Sequence, residues 1–438
     1  MKNDSSTPRR ASGLRFALRA LRHRNYRLFF AGQGVSLIGT WLTRTATAWL
    51  VYRLTGSATL LGVVGFVGQI PAFLVAPFAG VWVDRWDRRR LLVVTQALSA
   101  LQSFALAGLA LTQLITVWEV LALSLFQGFI DAFDMPGRQS FVVEMVEGRE
   151  DLGNAIALNS FMFNGARLVG PSVAGALIAS VGEGMCFLLD GVSYLAVIGS
   201  LLAMKTVSRR ATGQPRPVLH ELADGFRVSF GFPPIRAILL LAGLTGLVGM
   251  PYSVLMPIFA RDVLHGDAHT FGFLMTSVGV GALGGAVYLA SRRTVRGLGR
   301  IIPLAAVLFG SGLILFSQSR LAAISLPLLF VTGFGMMVQA ASCNTILQTI
   351  VDDDKRGRVM SFYTMAFLGM TPFGSLLAGA AAAAIGAPLT LLVDGAVIIA
   401  GALLFARSLP RIRRMIRPIY VEKGIVPEVA SGIHNAGR

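Results

Sequence analysis

The sequence predicts an all-α membrane protein with twelve transmembrane helices arranged as two pseudo-symmetric six-helix bundles. Three observations predict this fold: the composition, the regular recurrence of long apolar segments, and motifs that repeat about 200 residues apart. Hydrophobic residues make up 54% of the 438 residues and charged residues only 14%, whereas roughly a quarter of a soluble domain is charged. The composition therefore indicates a chain that folds in a lipid bilayer.

The apolar segments are long enough to cross a membrane, because about 20 helical residues span roughly 30 Å of hydrocarbon. The predicted spans cover residues 27–51, 58–83, 91–113, 117–137, 155–181, 185–204, 236–260, 270–290, 300–317, 321–345, 360–383 and 386–406. We therefore expect a basic amphipathic arm at 1–26, an N-terminal bundle at 27–204, a linker at 205–234, a C-terminal bundle at 235–407 and a tail at 408–438.

Two short motifs recur at nearly the same offset. The Asp-Gly pair at 190–191 recurs 204 residues later at 394–395, and the Ser-Phe pair at 160–161 recurs 201 residues later at 361–362. Internal repeats of this kind are common in transporter folds, so the sequence predicts duplicated halves. We expect Asp190 and Asp394 to be structural caps near the outer ends of the sixth and twelfth spans.

The distribution of cations predicts the orientation, because cytoplasmic loops carry the excess of Lys and Arg. If the N-terminus is inside, all but five of the 39 Lys and Arg residues lie on the cytoplasmic side. Arg53, Arg261 and Arg320 are in outer connectors, while Arg44 and Arg167 are within spans. Both termini of this multi-pass protein are therefore predicted to be cytoplasmic.

Enzymatic and cofactor chemistry is not expected. All five histidines fall in arms, linkers or loops, and the two cysteines are far apart, so we expect no metal site and no cofactor. No phosphate-binding Gly-x-x-x-x-Gly-Lys-Ser/Thr segment is present. The basic residues at 14–24 alternate with apolar ones at helical spacing, which favours contact with an anionic inner leaflet over nucleic-acid binding.

The connector after the second span combines acidic and basic residues. It reads Gly-Val-Trp-Val-Asp-Arg-Trp-Asp-Arg-Arg-Arg over residues 80–90. A topology signal would need only the arginines, because acidic residues contribute little to orientation. The sequence therefore predicts a conformational latch made by Gly80, Asp84, Arg85, Arg88 and Arg89.

This connector resembles the Gly-x-x-x-Asp-Arg-x-Gly-Arg-Arg signature of the major facilitator superfamily, with Asp87 where most members have Gly. The segments at 39–41, 49–57 and 256–263 resemble the branch that contains enterobactin exporters and macrolide efflux proteins. The resemblance spans about residues 14 to 408. It implies a cavity between two halves that opens alternately inward and outward, with the latch stabilising the outward-open state.

The fifth span contains Gly170, Pro171 and Gly175, which predict a helix kink with close packing. The segment is similar to a Gly-Pro motif of antiporters in this superfamily, which implies export. A purely structural Pro-Gly pair remains the alternative. One departure from the antiporter pattern is Ser124, because those proteins often have Arg three residues before the Gln-Gly of the fourth span.

Charged residues inside spans are candidates for proton or charge relay, because they are costly in a bilayer and usually functional. The candidates are Asp131, Arg167, Arg44 and Asp134. Asp131 and Arg167 are predicted at similar depth and could pair, so Asp131 is either a proton carrier or part of a permanent ion pair. Asp134 is expected to form a surface pair with Arg138, four residues later.

Aromatic, amide and thioether side chains at mid-span are candidates for lining a substrate cavity. They are Phe66, Gln69, Gln127, Asn159, Phe163, Tyr252, Met256, Gln339 and Asn344. The resemblance implies proton-coupled export of a moderately large amphipathic molecule such as a drug, siderophore or secondary metabolite. The alternatives are proton-coupled uptake and a non-transporting sensor or partner subunit. We expect a small-molecule substrate, protons and lipid as partners, no nucleic acid, and a monomer as a possible state.

Overall fold

The computed structural model describes residues 18–146, 149–205, 218–292 and 294–425, and all regular secondary structure in this part of the chain is helical. A 3-10 turn at Arg19–Arg22 precedes the first long helix. The helices are α1 (Arg24–Thr55), α2 (Ala58–Val67), α3 (Ile70–Arg85), α4 (Arg88–Leu111), α5 (Val117–Met145), α6 (Arg149–Val181), α7 (Glu183–Ala203), α8 (Val218–Gly231), α9 (Pro233–Leu244), α10 (Tyr252–Ile258), α11 (Ala268–Ala290), α12 (Leu298–Gln318), α13 (Ala322–Ile350), α14 (Asp353–Phe367), α15 (Thr371–Ile385) and α16 (Ala387–Glu422).

Three of the predicted spans are interrupted. The second consists of α2 and α3, and the eleventh consists of α14 and α15; in both, a proline lies in the first turn of the outgoing helix. The seventh runs from α9 to α10 and contains π-helical segments at Thr245–Gly249 and Phe259–Val263. Such π segments often mark functional positions in helices.

Ten segments in the described part of the chain are long and apolar enough to cross a membrane. They include every predicted span except the first and the fourth. The helices at those two positions, α1 and α5, have 32 and 29 residues and are long enough. Neither contains an 18-residue stretch that is both sufficiently apolar and poor in charged residues. They also hold Arg44, Asp131 and Asp134.

Several helices extend beyond the predicted spans. α5 continues to Met145, past the predicted end at 137, although it contains Pro136. α16 continues to Glu422, so the first part of the expected tail is helical. The linker contains α8, which packs against α14. Hydropathy detects only the apolar part of a helix, so polar helical ends were missed.

The helices form an N-terminal half, α1–α7, and a C-terminal half, α9–α16. We call the end of the bundle that carries His23, Met204 and Val351 the linker end, and the opposite end, with the turns at Gly56, Gly182 and Gly386, the loop end. The turn glycines have φ of 60°, 84° and 85°, which residues with a Cβ rarely adopt. Every predicted span thus runs between these two ends.

The halves pack together mainly toward the loop end, where α6 lies along α11 and α2 lies along α15. One apolar cluster there joins both halves and includes Leu50, Phe187, Phe259 and Phe316. Toward the linker end, each half has its own cluster, one around Phe141 and the other around Ile302. The described bundle is therefore closed at the loop end, whereas its halves have separate cores at the linker end.

The inter-half contacts extend to the middle of the bundle. A Cβ on Gly279, near the centre of α11, would lie 3.1 Å from Cα of Leu168. A Cβ on Gly369, between α14 and α15, would lie 2.6 Å from Cδ2 of Phe73. In the described chain, α3, α5, α13 and α14 pack extensively only within their own half. Close contacts between the described parts of the two halves are therefore concentrated between mid-depth and the loop end.

Candidate transport site

The predicted latch is at the linker end of the N-terminal half. Gly80, Asp84 and Arg85 belong to α3, but their side-chain environments lie outside the described part of the structure. Arg88 Nη1 donates to Glu144 Oε1 of α5 at 2.5 Å. Arg89 donates to the carbonyl oxygens of Leu201 and Leu202, each at 2.7 Å, and so satisfies the last turn of α7. Arg88 and Arg89 thus bind three helices of one half together.

The corresponding connector of the C-terminal half contains arginines without acids. Arg292 donates to the carbonyl oxygen of Arg296 at 3.0 Å, and Arg296 Nε donates to that of Ile425 at 2.7 Å. Arg293 lies outside the described residues. Backbone carbonyl oxygens are therefore the acceptors in this connector, and one of these bonds ties it to the segment that directly follows α16.

Asp131 is paired with Arg44, not with Arg167 as the sequence suggested. Arg44 Nη2 lies 3.8 Å from Asp131 Oδ2, and the two side chains are 53% and 31% exposed. Gln127 Nε2 donates to Asp131 Oδ1 at 2.9 Å and to Ser99 at 3.2 Å. Similar depth along the chain allowed a pair with Arg167, but depth does not determine which neighbouring helix a side chain faces. The resulting ion pair is long and partly open to the space around it.

Asp134 is buried, with only 2% of the residue exposed, so the expected surface pair with Arg138 was wrong in its location. The ion pair itself is present. Thr95 and Gln96 of α4 both donate to Asp134 Oδ1 at 2.8 Å. A buried carboxylate with one cation and two further donors is well satisfied, which is typical of a structural link between α4 and α5.

Arg167 lies over the ring of Trp41, with its guanidinium carbon 5.8 Å from the ring centroid. Arg44 lies 5.4 Å from the same centroid. Arg167 is also close to the Tyr252 hydroxyl of α10, in the opposite half. The ring centroids of Phe163 and Trp41 are 6.1 Å apart, and the planes of the two rings form an angle of 69°. Trp41, which the sequence showed only as part of a family motif, is the common neighbour of both mid-span arginines.

The glycines of the predicted kink motif permit close packing within a continuous α6. A Cβ on Gly170 would lie 2.3 Å from the Trp41 Cβ. A Cβ on Gly175 would lie 2.7 Å from the Ala268 carbonyl oxygen and 2.9 Å from Gly272 Cα, both in α11. Pro171 lies between them without ending the helix. Gly170 therefore positions α6 against α1, and Gly175 positions it against the C-terminal half.

The nine cavity candidates divide into three groups. Gln127 and Phe163 lie beside the charged residues described above. Tyr252, Met256 and Gln339 are buried, and Gln339 donates to Thr245 at 2.7 Å in the first π segment. The others make local or packing contacts: Phe66 meets Phe373, Gln69 donates to Gly65, Asn159 accepts from Tyr26, and Asn344 accepts from Gln348. In this conformation the three buried residues do not line an open space.

The loop end is closed by polar as well as apolar contacts, which the sequence did not predict. Tyr52 of α1 donates to Asp262 of the second π segment. Trp49 stacks on Phe271 at 5.9 Å, and Ser172 hydrogen-bonds with Thr276. These pairs are 210, 222 and 104 residues apart in the sequence, which is why no local pattern indicated them.

An all-helical membrane bundle whose two halves close at one end, with charged residues where they separate, defines a membrane transporter of the major facilitator type. The chain belongs to the transmembrane secretion effector family, whose model matches residues 16–418. It is 27% identical to the staphyloferrin A transporter of Staphylococcus aureus over 356 residues, covering 80% of this chain and 87% of that protein.

A second relative is macrolide efflux protein A of Streptococcus pyogenes. The identity is 26% over 395 residues and covers 86% of this chain and 95% of the relative. The fold is similar to that of a POT family transporter solved with 5-aminolevulinic acid, with a TM-score of 0.73, 11% identity and coverage of 89% and 96%. The family and its relatives are transporters rather than enzymes.

Proposed function

We propose that this protein is a secondary active exporter that moves a moderately large amphipathic small molecule by proton antiport and alternating access. The observation that carries the proposal is the pair formed by Asp131 and Arg44. Its ions are 3.8 Å apart and partly exposed, near the depth at which the two halves separate. A pair with these properties can respond to a substrate or to a rearrangement of the helices.

The proposed topology has twelve spans, with α1 and α5 added to the ten apolar segments. Both exceed the roughly 20 residues that a span requires. The polar groups of α5 that could oppose insertion are largely paired within the bundle, as with Asp134 and Arg138. We assign the linker end, with both termini, to the cytoplasm of a bacterial inner membrane because most cations lie at that end.

The proton site is assigned to Asp131. The Arg44 guanidinium lies beside this carboxylate, so a movement of α1 against α5 would separate the carboxylate from its counter-charge. Gln127 can retain its hydrogen bond to the carboxyl group in either state, because the amide donates to Oδ1. Arg44 therefore takes the place that the sequence suggested for Arg167, as the cation beside Asp131.

Alternating access is supported by the way the halves meet. The described conformation corresponds to a cytoplasm-open state, since the loop end is closed and the linker-end cores are separate. We propose that the latch residues Gly80, Asp84, Arg85, Arg88 and Arg89 stabilise the opposite, loop-end-open state. Export, with a drug, siderophore or secondary metabolite as substrate, is favoured by relatives named as efflux proteins.

The function can be tested by substrate-induced proton movement in proteoliposomes. Siderophores and amphipathic drugs would be screened against the wild type, Asp131→Asn and the exposed control Asp352→Asn. We expect proton movement opposite to substrate movement in the wild type and the control, and none in Asp131→Asn. Substrate movement without proton movement, or an unchanged signal in Asp131→Asn, would refute the assignment of Asp131.

A further inference from the structure

Charged side chains from several helices lie near mid-depth in the N-terminal half. Arg44 and Arg167 both face Trp41, and Asp131 lies beside Arg44. The buried Asp134 is neutralised by its own partner, Arg138. Asp190 of α7 is also buried in this region and accepts a hydrogen bond from Ser103. Of the three arginines, Arg167 is therefore the one with no ion-pair partner among the described residues.

Arg167 has no carboxylate within 4 Å among the residues that the structure describes. Its neighbours are the Trp41 ring and the Tyr252 hydroxyl, which are neutral. A cation within a membrane span is costly and usually has a partner. The position of Arg167 is also near the middle of the bundle, because it is the nineteenth of the 33 residues of α6.

Arg167 lies where the two halves separate. A Cβ on Gly279 of α11 would lie 3.5 Å from the Arg167 carbonyl oxygen, so Arg167 belongs to the contact between the halves at mid-depth. The guanidinium belongs to the N-terminal half, whereas Tyr252 belongs to the C-terminal half. A ligand that binds Arg167 would therefore contact the junction that has to rearrange during alternating access.

An aromatic surface adjoins this cation. Trp41 is partly exposed, and Phe163 is 44% exposed. The centroids of their rings are 6.1 Å apart. Guanidinium groups bind carboxylates and phosphates through parallel N–H donors, and aromatic rings bind apolar or planar groups. The neighbourhood thus offers one anion-binding group and one apolar surface, side by side.

We propose that Arg167 binds an anionic group, a carboxylate or phosphate, of the exported molecule, while Trp41 and Phe163 hold its adjacent aromatic or apolar part. This inference rests on the proposed transport function and specifies the substrate class. It also has an energetic consequence. When one monovalent anion leaves and one proton enters, the net effect is equivalent to two positive charges moving inward. An inside-negative membrane potential would therefore drive export directly.

Binding can be measured without any gradient. The probe is dansyl-glutamate, and the control compound is its dimethyl ester, which has the same ring system but no carboxylates. Binding to the detergent-solubilised protein is detected as energy transfer from tryptophan to the dansyl group. We expect the wild type and the loop-end control Arg320→Gln to prefer the acid by on the order of tenfold, the value of one charge-assisted hydrogen bond. Arg167→Gln should lose this preference, and Arg167→Lys should retain part of it.

Equal binding of acid and ester by the wild type would overturn the proposal, as would an unchanged preference in Arg167→Gln. If Arg167→Gln binds neither probe, a Phe163→Ala variant provides a second test. This variant should bind the acid and the ester more weakly by the same factor, so that its preference for the acid is unchanged. A loss of preference in Phe163→Ala would contradict the division of roles between Arg167 and the aromatic surface.

A transport assay separates this inference from the proposed function. In proteoliposomes with a potassium gradient and valinomycin, dansyl-glutamate efflux should accelerate under an inside-negative potential, whereas efflux of the ester should depend less on the potential. If proton movement fails but the acid preference of binding persists, the antiport mechanism is wrong and the anion site stands. If antiport occurs with no preference for the acid, the anion site is wrong and antiport stands.

Discussion

Gly175 and Gly272 meet backbone to backbone across the two halves, and a Cβ on either residue would lie 2.9 Å from the Cα of the other. Gly62 and Gly379 form an equivalent contact between α2 and α15, with the corresponding distances at 2.9 and 2.8 Å. Small residues allow such approach between membrane helices. Closure of the loop end therefore depends on two glycine pairs, one at each inter-half interface.

Replacing Gly272 by Leu should hold the loop end open. The added side chain would overlap Gly175 and Pro171, and overpacking of this kind typically costs about 1–3 kcal/mol. This overpacking would destabilise only the state in which the loop end is closed. Spin labels on the exposed residues Gln113 and Leu321, one in each half, should show a longer distance in Gly272→Leu.

The matched control is Gly108→Leu, because a Cβ at this helical position would meet nothing within 4 Å. Its distance distribution should match that of the wild type. If the distance distribution of Gly272→Leu matches that of the wild type, the helices can separate locally without opening the loop end.

Replacing Tyr52 by Phe should also favour loop-end opening, while it preserves the ring. The change removes the hydroxyl that donates to Asp262 of the opposite half. A hydrogen bond to a charged group contributes about 1.5–3 kcal/mol, so the open population should rise by roughly tenfold or more. The same pair of spin labels measures this population. Tyr420→Phe, at the linker end, should have no effect on the loop-end distance, and equal shifts in both variants would exclude a specific gate at Tyr52.

Replacing Asp134 by Asn should reduce stability more than it changes proton coupling. Asp134 is 2% exposed and is the partner of Arg138, and loss of one member of a buried ion pair typically costs about 3–5 kcal/mol. Thermal unfolding in detergent would detect this as a clearly lowered midpoint. Asp352→Asn removes an exposed pair with Lys355 and should change the midpoint little. Normal stability with lost proton coupling in Asp134→Asn would instead make Asp134 a relay residue.

Arg88 and Glu144 should be energetically coupled. Their hydrogen-bonded ion pair joins α4 to α5 at the linker end, and residues in direct contact typically show interaction energies of about 0.5–3 kcal/mol. A double-mutant cycle with Arg88→Gln and Glu144→Gln, read out as unfolding free energy, would measure this coupling. Additive effects would show that the contact does not stabilise the N-terminal half.

Much of the helix architecture could be predicted, because an apolar segment of about 20 residues has few stable alternatives in a bilayer. Asp190 and Asp394 both lie seven residues after the start of their helices, α7 and α16, which agrees with the predicted repeat. Their expected role as caps was wrong. Asp190 is buried two turns inside α7 and accepts a hydrogen bond from Ser103 at 3.0 Å.

Partners of the charged residues were harder to predict. Glu144 lies beyond the predicted end of the fourth span, so nothing in the sequence connected it with Arg88. Residues 18–23 of the basic arm were expected to face lipid, yet Arg19, Arg22 and His23 all contact Asp151 at the start of α6. Charge patterns indicated that these groups needed partners or lipid headgroups, without distinguishing the two.

The sequence by itself determined which segments enter the membrane and which residues bring charge into it, because both follow from the local cost of placing each side chain in hydrocarbon. Tertiary structure alone decided that Asp131 pairs with Arg44, that Arg167 lies beside Trp41 with no carboxylate within 4 Å among the described residues, and that the halves close at the loop end. These relationships depend on how each helix is rotated and how closely its glycines let it approach a neighbour. Hydropathy along one helix has no information on either quantity.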